Sequence, residues 1–278
     1  MVSIIICSKQ GEISQALDEN IHSTVGLPFE LIVIDNSNNS YSIFEAYNQG
    51  IEKSIYPFLL FVHEDVLFHT PKWGEILIGF FRDNPGYGLL GIAGADFKSR
   101  IPSGWWDCPI ENKIVNIIQH YPNNNPELEN IGFDSSGLKD AVVVDGVFLA
   151  LRKDLNITFN ENFSGFHGYD QNISFEVIKR GFQIGITDSI LIEHFSNGQQ
   201  NREWLEAMVK IHRSYRKLLP LYLGEVPMEK QEEVNCRRFL EKCLEQRKKK
   251  WFYYYWLKLV FLNPVSKFHF KLAKQQLS

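Results

Sequence analysis

Cysteine is scarce in this chain. Cys7, Cys108, Cys236 and Cys243 form no CxxC pair and no zinc-ligand spacing. Cys7 lies in an apolar stretch and reads as a small packed hydrophobe, so a reduced, cytoplasmic compartment fits. Long apolar runs are also missing: none approaches the roughly 20 residues needed to cross a bilayer. The N-terminus has no basic region followed by an apolar stretch, so no signal peptide is read. Positive charge is not in excess; the net charge of -4 gives no reason to expect a nucleic-acid partner. A GxGxxG loop after the first strand is absent, which argues against a dinucleotide enzyme, and GxxxxGK[ST] is absent, which argues against a P-loop NTPase. What remains is ordinary for a globular protein: 44% apolar and 22% charged residues in a chain of 278, enough for a large core.

The first third alternates strand and helix patterns. Val2–Cys7 is apolar almost throughout, as expected of a strand covered on both faces. A helical stretch follows from Ile13 to Ser23, broken by Gly26-Leu27-Pro28. Glu30–Asp35 reads as the second strand and runs into a polar loop of turn formers, Asp35–Ser40. A second helix over Ser42–Lys53 leads to the apolar run Pro57–Val62, closed by His63-Glu64-Asp65. Such alternation implies right-handed crossovers and a mostly parallel sheet flanked by helices. Ligands of these sheets bind beyond the carboxyl ends of the strands, which aligns Cys7-Ser8, Asp35-Asn36 and Glu64-Asp65 on one edge. Acidic side chains there can hold a divalent cation that completes its shell with water and ligand phosphates. Without a glycine-rich loop, a nucleotide diphosphate at this edge needs such a cation. Asp35 can accept hydrogen bonds from a base or ribose, or simply cap its loop.

Ser3–Ser8, Glu30–Ser37, Ala46-Tyr47-Asn48-Gln49-Gly50 and Phe61–Val66 together resemble inverting glycosyltransferases of the family-two type with a GT-A fold. The match is closest to a bacterial subgroup whose metal motif reads His-x-Asp, and it covers about residues 2 to 215. The resemblance implies a nucleotide-sugar donor, a UDP-sugar foremost, Mn²⁺ or Mg²⁺ as cofactor, and a glycan or lipid-linked acceptor in cell-surface polysaccharide synthesis.

Further along, Thr70-Pro71-Lys72-Trp73 reads as a helix start, and Gly88–Gly94 as a glycine-studded strand. Ser99 to Leu138, dense in Pro, Gly, Asn and Trp, reads as a long irregular insertion; Trp105-Trp106 within it can stack on a sugar or anchor the loop. Ala141–Leu151 reads as one strand interrupted at Asp145-Gly146. The interruption is a β-bulge, or, as the resemblance implies, a place near donor sugar and acceptor. Phe166–Asp170 precedes a helix that ends at Lys179-Arg180-Gly181. Asp170 is either its cap or, by the resemblance, the general base that inverting transfer requires. Family members often carry a second acidic residue two positions later, where this chain has Asn172. His194, in the run Ile190–Ser196, follows a strand and reads as a hydrogen-bonded structural residue or, by the resemblance, as the second protein ligand to the metal beside Asp65. An imidazole with a carboxylate suits Mn²⁺ better than Mg²⁺. His63 is expected only to shape the strand end, and His167 to meet acceptor or phosphate.

Glu203–Leu218 reads as the helix that completes a domain over 1–219, with Leu219-Pro220 as a hinge to a helical extension over 220–278. There the basic run Arg247–Lys250 meets Trp251–Leu257, a pattern suited to a membrane interface or to packing on the domain or a partner. The expected location is cytoplasmic, with contact at the inner face of the membrane. A non-catalytic sugar-nucleotide or glycan-binding module is the alternative function. A sugar nucleotidyltransferase would need a glycine-rich basic loop that Cys7–Gln10 does not supply.

Overall fold

The structure is a computed structural model that describes residues 1–122, 124–135, 137–196, 198, 200–224 and 228–269. The N-terminal third runs β1 (Val2–Ser8), α1 (Gln15–Thr24), β2 (Phe29–Asp35), α2 (Ile43–Lys53) and β3 (Phe58–Val62). Next come β4 (Val66–Phe68), α3 (Trp73–Asp83), β5 (Tyr87–Gly91), β6 (Ala93–Ala95), β7 (Phe97–Lys98), β8 (Lys113–Gln119) and β9 (Glu127–Ile131). The chain continues through β10 (Leu138–Ala141), β11 (Val143–Val144), β12 (Phe148–Arg152), α4 (Tyr169–Lys179), β13 (Gln183–Thr187) and β14 (Ile192–His194). It closes with α5 (Arg202–Ser214), β15 (Leu221–Tyr222), α6 (Met228–Glu245) and α7 (Lys249–Leu262).

Local chemistry explains the first helices. Ser14 caps α1 by accepting from the Leu17 N–H, and Ser42 with Glu45 forms a reciprocal capping box on α2. The seven-stranded main sheet has the order β10-β13-β5-β12-β3-β1-β2, and β12 and β10 run against the other five. Side chains alternate across a strand, so Ile4 and Ile6 of β1 enter one core with Leu17 and Trp73, while Ile5 enters the other with Phe44 and Tyr47. That two-sided burial is why β1 is apolar without a polar face.

A second sheet, β11-β6-β8-β14-β4 with β9 beside β8, takes up the chain where it leaves the first, β4 following β3 and β14 following β13. It corrects the expectation of an irregular segment between Ser99 and Leu138. Ile114, Val115 and Ile117 of β8 are buried, and β8 pairs with β6, β9 and β14. The density of Pro, Asn and Trp at its two ends hides this short strand. Ala141–Leu151 is likewise two strands, β11 in the second sheet and β12 in the first, and the chain changes sheets at Asp145-Gly146. The last domain helix stops at Ser214, earlier than the pattern suggests. Beyond Pro220, β15 pairs with β7, and Cys236, Leu240, Phe252 and Leu259 of α6 and α7 share one hydrophobic cluster with Trp204 and Met208 of α5.

Candidate active site

The carboxyl ends of β1 and β3 open into a cavity of about 1270 Å³. Antiparallel pairing sets His194 of β14 opposite Val66 of β4, one residue past Asp65. The Phe195 N–H donates to the Asp65 carbonyl at 3.1 Å and fixes that juncture. As a result His63, Asp65 and His194 converge, their candidate ligand atoms all within 4.8 Å of one another. His63 Nδ1 lies 3.3 Å from His194 Nε2, and Asp65 Oδ1 lies 3.8 Å and 3.6 Å from those two nitrogens.

The rings are aimed by their outer partners. Gln119 of β8 donates its amide N–H groups to the carbonyls of His120 and Ser196, which turns its oxygen toward His194 Nδ1 at 3.0 Å. The Nδ1–H of His194 is therefore used, and its Nε2 lone pair faces the cluster. His63 Nε2 meets the Tyr169 hydroxyl at 2.6 Å. A tyrosine hydroxyl both donates and accepts, so His63 can present an N–H or a lone pair at Nδ1. Burial, with His194 beside it, pulls the His63 pKa below its ordinary value and favours the neutral ligand form. Burial acts to raise the Asp65 carboxyl, but the His194 and Ser196 side chains beside it outweigh it and hold the pKa at about 2. Two neutral imidazoles and one carboxylate suit a borderline divalent ion such as Mn²⁺, and ring-orienting outer contacts of this kind accompany metal sites.

Asp170 stands in the same cavity. Gly168, at φ 80°, occupies the cap position of α4 without a side-chain cap, and Asp170 is the second residue of the helix. The capping explanation for Asp170 therefore fails. Burial, reinforced by the Asp145 charge, pushes its pKa up to about 7. A carboxylate titrating near neutrality is matched to proton abstraction.

Asp145 accepts from the Val147 N–H at 2.7 Å and from the Trp105 indole N–H. It thereby holds Trp105 at the cavity, while Trp106 stacks on Trp204 with centroids 6.0 Å apart. A Cβ on Gly146 would lie 2.2 Å from the Tyr169 hydroxyl oxygen. Gly146 thus leaves room for the tyrosine that aims His63.

Cys7, Glu64, Asp65, Asp145, Gly146, Asp170 and His194 all line this cavity; Ser8, Asp35 and Asn36 do not. Ser8 is buried, its hydroxyl donating to the Glu12 carbonyl and accepting from the Gln10 N–H. Asp35 is exposed and accepts from the Ser37 N–H, which lowers its pKa. Asn36 ties its amide to both backbone groups of Tyr41. Glu64 receives the Lys9 N–H, joining the ends of β1 and β3. Asn172, where the resemblance leads one to expect a second acidic residue, accepts from the Asn160 N–H and donates to the Tyr215 hydroxyl, fully buried. Its neutral amide serves packing outside the cavity lining.

Three further side chains support the site without having been singled out for it from the sequence. Gln119 and Tyr169 aim the imidazoles. Lys98, buried at the end of β7, donates to the Ser103 carbonyl and hydroxyl and to the Gly104 carbonyl. Gln171, next to Asp170, also donates to the Ser103 carbonyl. The loop bearing Trp105 and Trp106 is thereby fixed beside α4. Burial lowers the Lys98 pKa to about 8.

Among solved structures, GalNAc-T7 with UDP, GalNAc and Mn²⁺ is similar at a TM-score of 0.51 and 11% identity, over 87% of this chain and 55% of that one. The chain thus spans about half the length of that protein, and the likeness shows the GT-A fold. A197 from STIV is similar at a TM-score of 0.42 and 13% identity, over 70% of this chain and 86% of that one. A search among curated proteins finds no match. A family model described as "Glycosyltransferase like family" matches residues 3–217. Spanning most of its length, that match shows that the chain belongs to this glycosyltransferase-like family.

Proposed function

We propose that this chain is an inverting glycosyltransferase that uses Mn²⁺ or Mg²⁺ and takes a nucleotide-diphosphate sugar, a UDP-sugar foremost, as donor. The observation that carries this reading is the convergence of His63, Asp65 and His194 in the cavity that also holds Asp170. A cation bound by those three would neutralise a diphosphate leaving group as a Lewis acid. Asp170 takes the proton from an acceptor hydroxyl as that oxygen attacks the anomeric carbon from the face opposite the diphosphate. Trp105 and Trp106 offer flat apolar surfaces for a sugar ring. The acceptor is a hydroxyl of a glycan or lipid-linked saccharide, in cell-surface polysaccharide synthesis at the cytoplasmic side of the membrane. A solved glycosyltransferase, GalNAc-T7, is similar in fold and carries UDP, GalNAc and Mn²⁺.

Titration calorimetry with UDP tests the donor site. Affinity is expected to fall at least about tenfold in EDTA, and in Asp65→Ala or His194→Ala with Mn²⁺ present, the scale of losses at metal sites. Equal affinity with and without the cation would sink the reading. Incubation with a panel of UDP-sugars and Mn²⁺ then separates a transferase from a binding module. The module would be thermally stabilised and release no UDP.

A further inference from the structure

We infer that the outward face of α7 seats the protein on an anionic lipid surface. Phe252, Tyr255 and Leu259 point into the core, whereas Tyr253, Tyr254, Leu257, Val260 and Phe261 occupy the opposite side of the helix. Leu257 is 58% exposed and Phe261 is 80% exposed. Together with Val265 these residues make up six of the thirteen exposed large apolar side chains among the described residues, gathered within thirteen positions. Scattered exposed apolar residues need no explanation, but a continuous stripe marks an interaction surface.

Charge identifies the occupant. From Gln246 to Ser278 the sequence carries eight Lys and Arg and no Asp or Glu, in a protein of net charge -4. Among the described residues, Lys249, Lys250, Lys258 and Lys267 form no salt bridge. Lys258 instead lies over the rings of Tyr254 and Tyr255, its ammonium 5.0 Å from each centroid. Two copies meeting through this face would bring like charges together. Anionic headgroups complement them, while tyrosines sit well at the headgroup level. No described helix is long and apolar enough to cross a membrane, so α7 would lie in the interface plane.

This surface is separate from the transfer reaction, and its test runs with no donor present, so either reading can fail alone. The full chain is sedimented with vesicles of phosphatidylcholine, with and without phosphatidylglycerol. Retention is expected on the anionic vesicles and should weaken with added salt. The double variant Leu257→Glu, Phe261→Glu alters exposed positions, and its melting temperature checks the fold. It should reduce retention by about tenfold or more, since two apolar side chains no longer leave water. Ile55→Glu, at an exposed site elsewhere, should bind as the parent does. No retention on anionic vesicles, or equal retention of the double variant, overturns the inference. So does a parent that sediments as a dimer, binds no vesicle and becomes monomeric in the double variant; that result would assign the face to a second copy.

Discussion

Two pushes act on the Asp170 carboxyl: burial and the nearby Asp145 charge both favour its protonated form and bring its pKa to about 7. The transfer rate is therefore expected to rise with pH through about 7, as the base loses its proton. Asp170→Asn should cost about 10²–10⁴ in rate while UDP binding stays near the parent value. The stability effect has a definite sign. The folded pKa lies above the ordinary 3.8, so the folded state holds a proton that the unfolded chain has lost, and stability falls as pH rises from about 4 to about 7. Melting curves should show Asp170→Asn at least as stable as the parent at pH 8, with the difference shrinking toward pH 4. A variant that melts lower at pH 8 and transfers normally would make the carboxylate structural and shift attention to Asp145. Asp65 was singled out from the strand it follows, and His194 and Asp170 through the family resemblance; the fold brings all three to one cavity. His63 was underrated, since the direction of its ring depends on Tyr169, 106 positions away. Gln119 had no readable signal, because it acts through a strand pairing formed only in the fold.

Among the elements, the crossing between sheets at Asp145-Gly146 is the most exacting. Gly146→Ala would set a methyl group against the Tyr169 hydroxyl. Overpacking of this kind costs about 1–3 kcal/mol, and displacing Tyr169 releases His63. Cation-dependent UDP affinity should then fall about 10–100-fold, the usual loss for a ring-orienting partner, which calorimetry would detect. Unchanged affinity would separate Gly146 from the ligand set. The loop after β7 depends on Lys98 in a comparable way. Lys98→Met takes the ammonium from the carbonyls of Ser103 and Gly104, which keep only the Gln171 amide and the Asp107 N–H, at about 0.5–1.5 kcal/mol for each hydrogen bond lost. It also removes a positive charge that lowers the Asp170 pKa, so the midpoint of the pH–rate profile should move upward. A profile that stays in place would mean that Lys98 acts on folding alone. The N-terminal strands and helices were legible because hydrophobic periodicity and serine caps agree there. β8 was not, because a seven-residue strand between Pro- and Asn-rich turns leaves too short a pattern, and its place is set by partners distant in sequence.

For the whole molecule, the layout of the two sheets governs how the parts communicate. The parallel pairing of β1 with β2 and β3 followed from the alternation of elements, but the order of the remaining strands and the second sheet did not, since their partners come from distant stretches of chain. The three candidate ligands arise on both sides of this division: His63 extends β3 of the main sheet, His194 ends β14 of the second, and Asp65 lies on the connection between β3 and β4. An ion held by all three would act as a rivet across the seam. Local opening of either sheet at that point would then have to break the same bonds, so their opening free energies become linked. Amide hydrogen exchange is expected to slow on adding Mn²⁺ not only at Phe58–Val62 but also at Lys113–Gln119 and Ile192–His194, and His63→Ala should remove the effect from both sheets together. Protection confined to one sheet would show that the ion does not span the seam. The cation's part would then extend past charge neutralisation: by fastening the floor of the cavity to its side wall, it would make the rigidity of the acceptor side depend on occupancy of the donor side.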